Sequence, residues 1–181
     1  MTLTYQLNRN DFLQYHLFVA SQTPRIKKKR IRSWLTVTAV MTLLGLLFYQ
    51  SSNMFLAYYF FIFSIVSFVF FPLYQRAQYK QHYKKFIEDS YKDRMRKPVT
   101  IKLTDTTIEA SDPGSISTIK LSEMNHITET GDYFYLKFKI GEYLILPKTG
   151  INDPLALKQE LKQLSSRLQI EFIEALNWRW K

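Results

Sequence analysis

Hydrophobic and polar positions divide this chain into stretches of different period. From Ser33 to Gln75, 43 consecutive residues carry no charge. As one helix they would extend roughly 65 Å at 1.5 Å per residue, about twice the hydrocarbon thickness of a bilayer. The polar tetrad Gln50-Ser51-Ser52-Asn53 interrupts the stretch. The pattern therefore predicts a helical hairpin in a membrane, with spans over residues 34–49 and 54–74. The first span is short and diluted by Thr36, Thr38, Thr42 and Gly45. The second holds 13 Phe, Leu, Ile and Val residues, which favour insertion by roughly 4–8 kcal/mol before polar contributions. It is expected to insert unaided, and the first span with its partner's help. Thr38, Thr42 and Gly45 on one helix and Ser64 and Ser67 on the other are small enough to let the two backbones approach.

Outside the hairpin the period changes twice. Thr2–Leu7 alternates as a short strand does. Asn8 or Asn10 can cap a helix through Asp11–Ala20, which Thr23-Pro24 should end. After the second span, Tyr79, Tyr83, Phe86/Ile87 and Tyr91 recur at helical spacing. This predicts a basic linker helix over 76–97, its aromatic stripe packed on the soluble part or on headgroups, ending at Lys97-Pro98. From Val99 the period is two. Strands are expected over 99–103, 107–110, 116–121, 124–130, 133–138 and 142–147, with turns at Ser111–Ser115, Gly131-Asp132 and Lys139–Gly141. Asp153 and Pro154 then open a helix whose Leu157, Leu161, Leu164 and Leu168 form one apolar face. The fold class that follows is a membrane α-helical hairpin plus an α+β part: an antiparallel β-meander closed by a C-terminal amphipathic helix. Four segments result, 1–32, 33–75, 76–97 and 98–181. The strand Thr2–Leu7 is expected to complete the sheet of the last segment, making the hairpin an insertion. The tail from Gln169 is too apolar for a free end, and suits either the membrane surface or the chain's own sheet.

Charge refines this picture. The net +10 would suit nucleic acid if it were spread over one face. It is not: residues 1–32 carry +6, residues 76–97 carry +5, and residues 98–181 carry −1. The excess flanks the spans, and the loop between them is uncharged, as the positive-inside rule requires of a two-pass cell-membrane protein with both termini cytoplasmic. The basic region ahead of the first span is too long for a cleaved signal peptide, and no A-x-A-like site follows it. The candidate membrane-surface residues are Arg25, Lys27, Lys28, Lys29, Arg30 and Arg32 before the hairpin, and Arg76, Lys80, Lys84 and Lys85 after it. Besides setting topology, they suit anionic lipid at about 1 kcal/mol per nearby cation. Trp34, Tyr49, Tyr74, Trp178 and Trp180 are candidate interfacial aromatics.

Little in the sequence points to catalysis. There is no cysteine, so no disulfide, thiolate metal site or thiol nucleophile. His16, His82 and His126 lie in separate segments, none with a second ligand at helical spacing. No glycine pair fits a phosphate-binding loop and no G-x-S-x-G elbow is present. Ser122-Glu123 reads as a turn. The spans carry no ionisable group of the kind that marks an ion or proton path. No enzyme activity, cofactor, metal, nucleic acid or small-molecule substrate is expected.

Several segments in order, LTYQLNRNDFLQYHLF (3–18), QYKQHYKKFIEDSYK (78–92), KLTDTTIEA (102–110), IKLSEMNHITETGDYFYLKF (119–138) and YLILPKTG (143–150), give the chain a resemblance to the YcxB-like family of bacterial membrane proteins. The resemblance implies two transmembrane helices and a cytoplasmic pleckstrin-homology-like (PH-like), partly open barrel. Leu121 stands where the family often carries Trp before the Ser-Glu pair, and the Trp-rich tail is not part of the family pattern. The resemblance brings no catalytic motif. The expected function is a membrane-anchored cytoplasmic interaction module, binding a protein partner or a second copy. An immunity protein against a membrane-active peptide and an accessory subunit of a transporter are the alternatives.

Overall fold

The computed structural model describes residues 1–112 and 114–180. The chain forms two units, one of Met1–Phe12 with Ile87–Arg179, the other of Leu13–Phe86 with Trp180.

The first unit is α+β and holds two sheets. In the first sheet, β1 (Thr2–Gln6), β2 (Pro98–Leu103), β3 (Thr107–Asp112) and β4 (Ser115–Lys120) lie side by side in that order, all antiparallel. β1 pairs with β2 along its whole length, from Thr2 opposite Lys102 to Gln6 opposite Pro98. The N-terminal strand thus completes the C-terminal sheet, as the alternation of Thr2–Leu7 suggested, and the hairpin is inserted between two paired strands. Asp112 shapes the β3–β4 turn by accepting from the backbone N–H groups of Gly114 and Ser115, both at 2.8 Å.

A 3₁₀ turn at Leu121–Glu123 breaks the run of strands, and the second sheet begins. It comprises β5 (Met124–Glu129), β6 (Tyr133–Phe138), β7 (Tyr143–Pro147) and β8 (Glu171–Glu174), ordered β7-β6-β5-β8. The expected strands are present, but they form two sheets rather than one continuous meander. The tail adds a strand: β8 runs parallel to β5, with Phe172 opposite Ile127 and Glu174 opposite Glu129. A parallel pair needs a crossover, and α4 (Pro154–Leu168) supplies it. Asp153 caps α4 by accepting from Leu155 and Ala156 N–H at 3.1 and 2.9 Å, with Pro154 in the first turn. The Leu157, Leu161 and Leu164 face is buried.

The core of this unit lies around β6, whose residues are buried on both faces except Lys137. Phe134, Tyr135 and Phe138 are at most 1 % exposed, and burying such a side chain contributes about 1.5–3 kcal/mol. Tyr5 of β1 donates from its buried hydroxyl to the Ile145 carbonyl at 2.6 Å, joining the sheets across the core; burial pushes that phenol up. Tyr133 donates to Asp11 at 2.8 Å, both side chains buried.

Helices form the second unit. α1 (Arg9–Gln22) starts at Asn8, whose Oδ1 accepts from Asn10 and Asp11 N–H while Asp11 Oδ2 accepts from Asn8 N–H. This is a capping box with Asn in place of the usual Ser or Thr and Asp in place of the usual Glu, and it identifies Asn8 as the cap. α2 (Pro24–Gln50) takes in the basic run and the first span as one helix. α3 (Met54–Ser90) takes in the second span and most of the basic segment after it. The basic helix therefore ends at Ser90, short of the expected Lys97. Residues 91–96 are turns, with Arg96 at φ 58°. Both helices are long and apolar enough to cross a membrane. Their exposed residues include Leu43, Leu47, Phe55, Ile62, Ile65 and Phe70, each at least half exposed.

Candidate functional site

Two helices that lie in lipid hold together through small residues and interhelical hydrogen bonds, because apolar contact alone gives no preference for helix over lipid. Of the five expected small residues, Thr38, Thr42 and Ser64 meet. Thr42 and Ser64 hydroxyls are 2.7 Å apart, and Ser64 also reaches the Thr38 carbonyl at 3.3 Å. Gly45 is buried against the Phe61 ring, where a Cβ would come within 2.8 Å of ring atoms. Ser67 is half-buried and does not take part in these contacts. Ala57, which composition did not single out, is fully buried.

Pro72 lies inside α3. Proline has no N–H, so the Phe68 carbonyl four residues earlier loses its helical donor. The Trp34 indole N–H of α2 donates to that carbonyl at 3.0 Å, and the Trp34 and Phe68 rings lie 4.9 Å apart. Trp34, expected only as an interfacial aromatic, thus also satisfies an acceptor on the neighbouring helix. Tyr49 and Tyr74 are exposed, at 54 % and 60 %.

Cations gather where the uncharged tract stops. Residues 13–86 hold ten Lys and Arg and no Asp or Glu. Arg25, Lys27, Lys28, Lys29 and Arg32 on α2, and Arg76, Lys80, Lys84 and Lys85 on α3, are exposed. Arg30 differs. Its guanidinium lies over the Trp180 ring at 4.7 Å and the Tyr79 ring at 5.8 Å. Trp180 is only 6 % exposed, and its indole N–H donates to the Arg76 carbonyl at 3.2 Å. Buried Gln75 donates to the Arg30 carbonyl at 3.3 Å. A cleft of about 390 Å³ opens here, between Lys29, Arg30 and Ser33 of α2 and Gln75, Tyr79 and His82 of α3. Sequence reasoning named the cations but not the cleft, because nothing local says which turns of two helices face each other.

Further along α3, Tyr83 stacks on His16 at 5.5 Å, with Phe86 edge-on to the same imidazole at 5.3 Å. Burial holds His16 below its ordinary pKa. Tyr91, in the sheet unit, packs on Phe12 at 4.5 Å. Trp178, in the same unit, is half-buried.

The sheet unit has its own charged cluster. Glu129, 3 % exposed, pairs with Lys148 and Lys158 at 2.7 Å each, and Glu174 pairs with Lys158 and Lys162 at 3.2 and 2.7 Å. Burial pushes the Glu129 carboxyl up, but the two lysines outweigh it and hold it below its ordinary value. A hollow of about 620 Å³ lies between Thr104, Asp105, Glu160 and Arg167, and there Arg167 is already matched by Asp105 at 3.6 Å. His126 is held below its ordinary value by burial and by Lys137 across the strand pair. Among the described residues no three His, Cys, Asp or Glu side chains gather as metal ligands would.

Residues 103–164 match the family model described as YcxB-like protein. Over these residues the chain is similar to that family. The YcxB-like stretch runs from the end of β2 to Leu164 of α4, inside the sheet unit. Together with the two apolar helices, the match makes this a membrane-associated protein. No curated protein and no solved structure matches the chain.

Proposed function

We propose that this protein is a non-catalytic, membrane-anchored interaction module. The hairpin crosses the cell membrane twice and holds the two-sheet unit at the cytoplasmic face. There the unit binds another protein or a second copy of itself. Anchoring raises the effective concentration of such a module near its targets, so modest affinity suffices.

The pairing of β1 with β2 is the observation that carries this reading. β1 precedes the hairpin and β2 follows it. Backbone groups of one sheet cannot be divided by a bilayer, since unpaired N–H and C=O groups are not tolerated in hydrocarbon. Both strands then share one side, and the number of crossings is even. The ten cations at the end of the hairpin nearer both strands favour the cytoplasmic side. The partly open two-sheet layout fits the PH-like barrel that the family resemblance implies.

The chain contains no cysteine, so single introduced thiols report topology without background. Ser52→Cys should react with a membrane-impermeant maleimide in intact spheroplasts, and Thr118→Cys only after lysis. The opposite pattern would overturn the orientation. In-cell crosslinking with mass spectrometry tests the interaction: a recurrent adduct with one protein, or with a second copy, is expected. Adducts with lipid alone would count against a protein-binding role.

A further inference from the structure

A sheet edge is a row of unpaired backbone donors and acceptors, and most folds guard it with short strands, charges, proline or a covering segment. Three edges of the sheet unit are guarded in these ways. β8 is four residues long and carries Glu171 and Glu174 at its two ends. β7 ends in Pro147. The turn at Gly150 packs on Tyr5 of β1, where an added Cβ would lie 3.1 Å from the Tyr5 Cβ. The fourth edge is β4, last in the order β1-β2-β3-β4. It has six residues, is uncharged from Ser115 to Ile119, holds no proline, and pairs with β3 without a bulge. All its residues but Ile119 are exposed, Ile116 at 78 %.

The phase of the β3–β4 ladder fixes which groups of β4 are on offer. Leu121 N–H donates to the Thr106 carbonyl at 2.8 Å, so this pair is hydrogen-bonded, and so is every second pair along the ladder. Ser115, Ser117 and Ile119 therefore bond to β3, while Ile116, Thr118 and Lys120 turn their N–H and C=O groups outward. These three residues are symmetric about Thr118. An antiparallel copy of β4, turned about a two-fold axis at Thr118, sets Thr118 opposite Thr118 and each Ile116 opposite a Lys120. All outward groups of the strand then pair, in about six backbone hydrogen bonds, with a favourable Thr–Thr pair at the centre. Charge fits the same arrangement. Lys120 is the one charge of β4, the antiparallel copy puts the two lysines at opposite ends of the ladder, and each aliphatic stem covers the other copy's exposed Ile116.

We infer that β4 is a self-pairing edge: two copies of this chain join β4 to antiparallel β4 about Thr118, merging their four-stranded sheets into one. A six-residue ladder covers far less than the roughly 1,600 Å² of a standard stable interface. Copies held in one bilayer meet at a raised effective concentration, which so small an interface needs. The inference rests on the membrane-anchored reading above and commits it to a second copy as the partner.

The full chain is reconstituted in liposomes of phosphatidylcholine and phosphatidylglycerol, and single-thiol variants are oxidised. Thr118→Cys should give a covalent dimer, because directly opposed residues of a hydrogen-bonded pair lie about 5.5 Å apart at Cα, within disulfide reach. Ile116→Cys, whose counterpart is about 13 Å away along the strands, should give at most a fifth as much. Association without a crosslink is read by energy transfer between chains labelled at Ser52→Cys, as added lipid dilutes them. Thr118→Lys sets like charges directly opposite each other at the axis and should weaken association at least tenfold. Thr118→Pro removes an outward N–H that β3 does not use, and should weaken it as much. Should the proline variant unfold, Thr118→Lys, on an exposed side chain, keeps the comparison. Equal crosslinking from positions 116 and 118 would reduce the dimer to random collision and overturn the pairing. Association that Thr118→Lys leaves unchanged would place the contact elsewhere on the chain and overturn it as well. Monomers at every dilution would do the same. Monomers in liposomes together with a recurrent in-cell adduct to a different protein would leave the interaction-module reading standing, so the two fail separately.

Discussion

Trp34 donates its indole N–H to the Phe68 carbonyl, the acceptor that Pro72 leaves without a helical partner. In hydrocarbon an unsatisfied carbonyl is costly, so α2 repairs a defect in α3 and is tied to it in doing so. Trp34→Phe keeps a ring against Phe68 but removes the donor. It should destabilise the detergent-solubilised protein by about 1–2 kcal/mol. Pro72→Ala returns a backbone N–H to the same carbonyl, so Trp34→Phe should cost less than half as much in that background. Thermal unfolding of the four proteins of this double-mutant cycle checks it; equal costs in both backgrounds would show that the indole works by packing alone.

The Thr42–Ser64 contact and the Gly45–Phe61 approach lie on the same seam. Thr42→Val keeps the shape and loses the hydroxyl pair, for an expected loss of about 0.6–1.7 kcal/mol. Gly45→Leu should do more harm, since Phe61 already occupies the space of a Cβ. The order Gly45→Leu below Thr42→Val below wild type in thermal midpoint is the expected outcome. A Gly45→Leu protein as stable as wild type would mean that the helices do not meet there.

Acid should weaken the sheet unit through Glu129. Burial pushes its carboxyl up, Lys148 and Lys158 pull it down, and the net shift is downward from an ordinary value near 4.5. A carboxyl lowered by folding contributes stability that is complete above its unfolded pKa and disappears as pH falls through the folded value. Wild type should therefore exceed Glu129→Gln in urea midpoint at pH 7, and the gap should close below pH 4. A gap that widens on acidification would contradict the pairing with the two lysines.

Asp11 and Tyr133 join the first residues of α1 to the second sheet, as β1 joins the first. Tyr133→Phe leaves a buried carboxylate short of one donor and should destabilise the unit by about 1.5–3 kcal/mol. Deleting residues 2–6 removes a whole strand together with the Tyr5 hydrogen bond to Ile145. Limited proteolysis in detergent should then cut within 98–179 at least tenfold faster. Unchanged resistance would mean that the C-terminal sheet stands without β1.

Local pattern carried much of this fold. The uncharged tract with its polar break located both long helices, and Asp153-Pro154 located the start of α4. Asn8 was one of two candidate caps, and the Asp11 carboxylate that decides between them stood in the sequence three residues on. What the pattern missed depends on distant partners. β8 is four residues long and takes its identity from parallel pairing with β5, more than 40 residues earlier. The division into two sheets at Leu121–Glu123 is silent because strands of either sheet show the same alternation. The basic run before the first span joins α2 because Lys and Arg are good helix formers, a propensity that the charge pattern concealed. In the candidate cleft, Lys29 and Arg30 were legible as cations. The burial of Trp180 and the lining by Gln75 and Ser33 were not, because they arise from which turns of two helices face each other.

Insertion of the hairpin between paired strands imposes an order of events on biosynthesis. β1 leaves the ribosome first, and its partner β2 begins 92 residues after Gln6. At 5–20 residues per second this is a wait of roughly 5–20 s. During that interval both apolar helices emerge and can enter the bilayer, while a strand with an unpaired edge stays exposed beside it. The sheet closes only once the second helix has been made, so assembly of the sheet unit follows synthesis of the hairpin inserted in it.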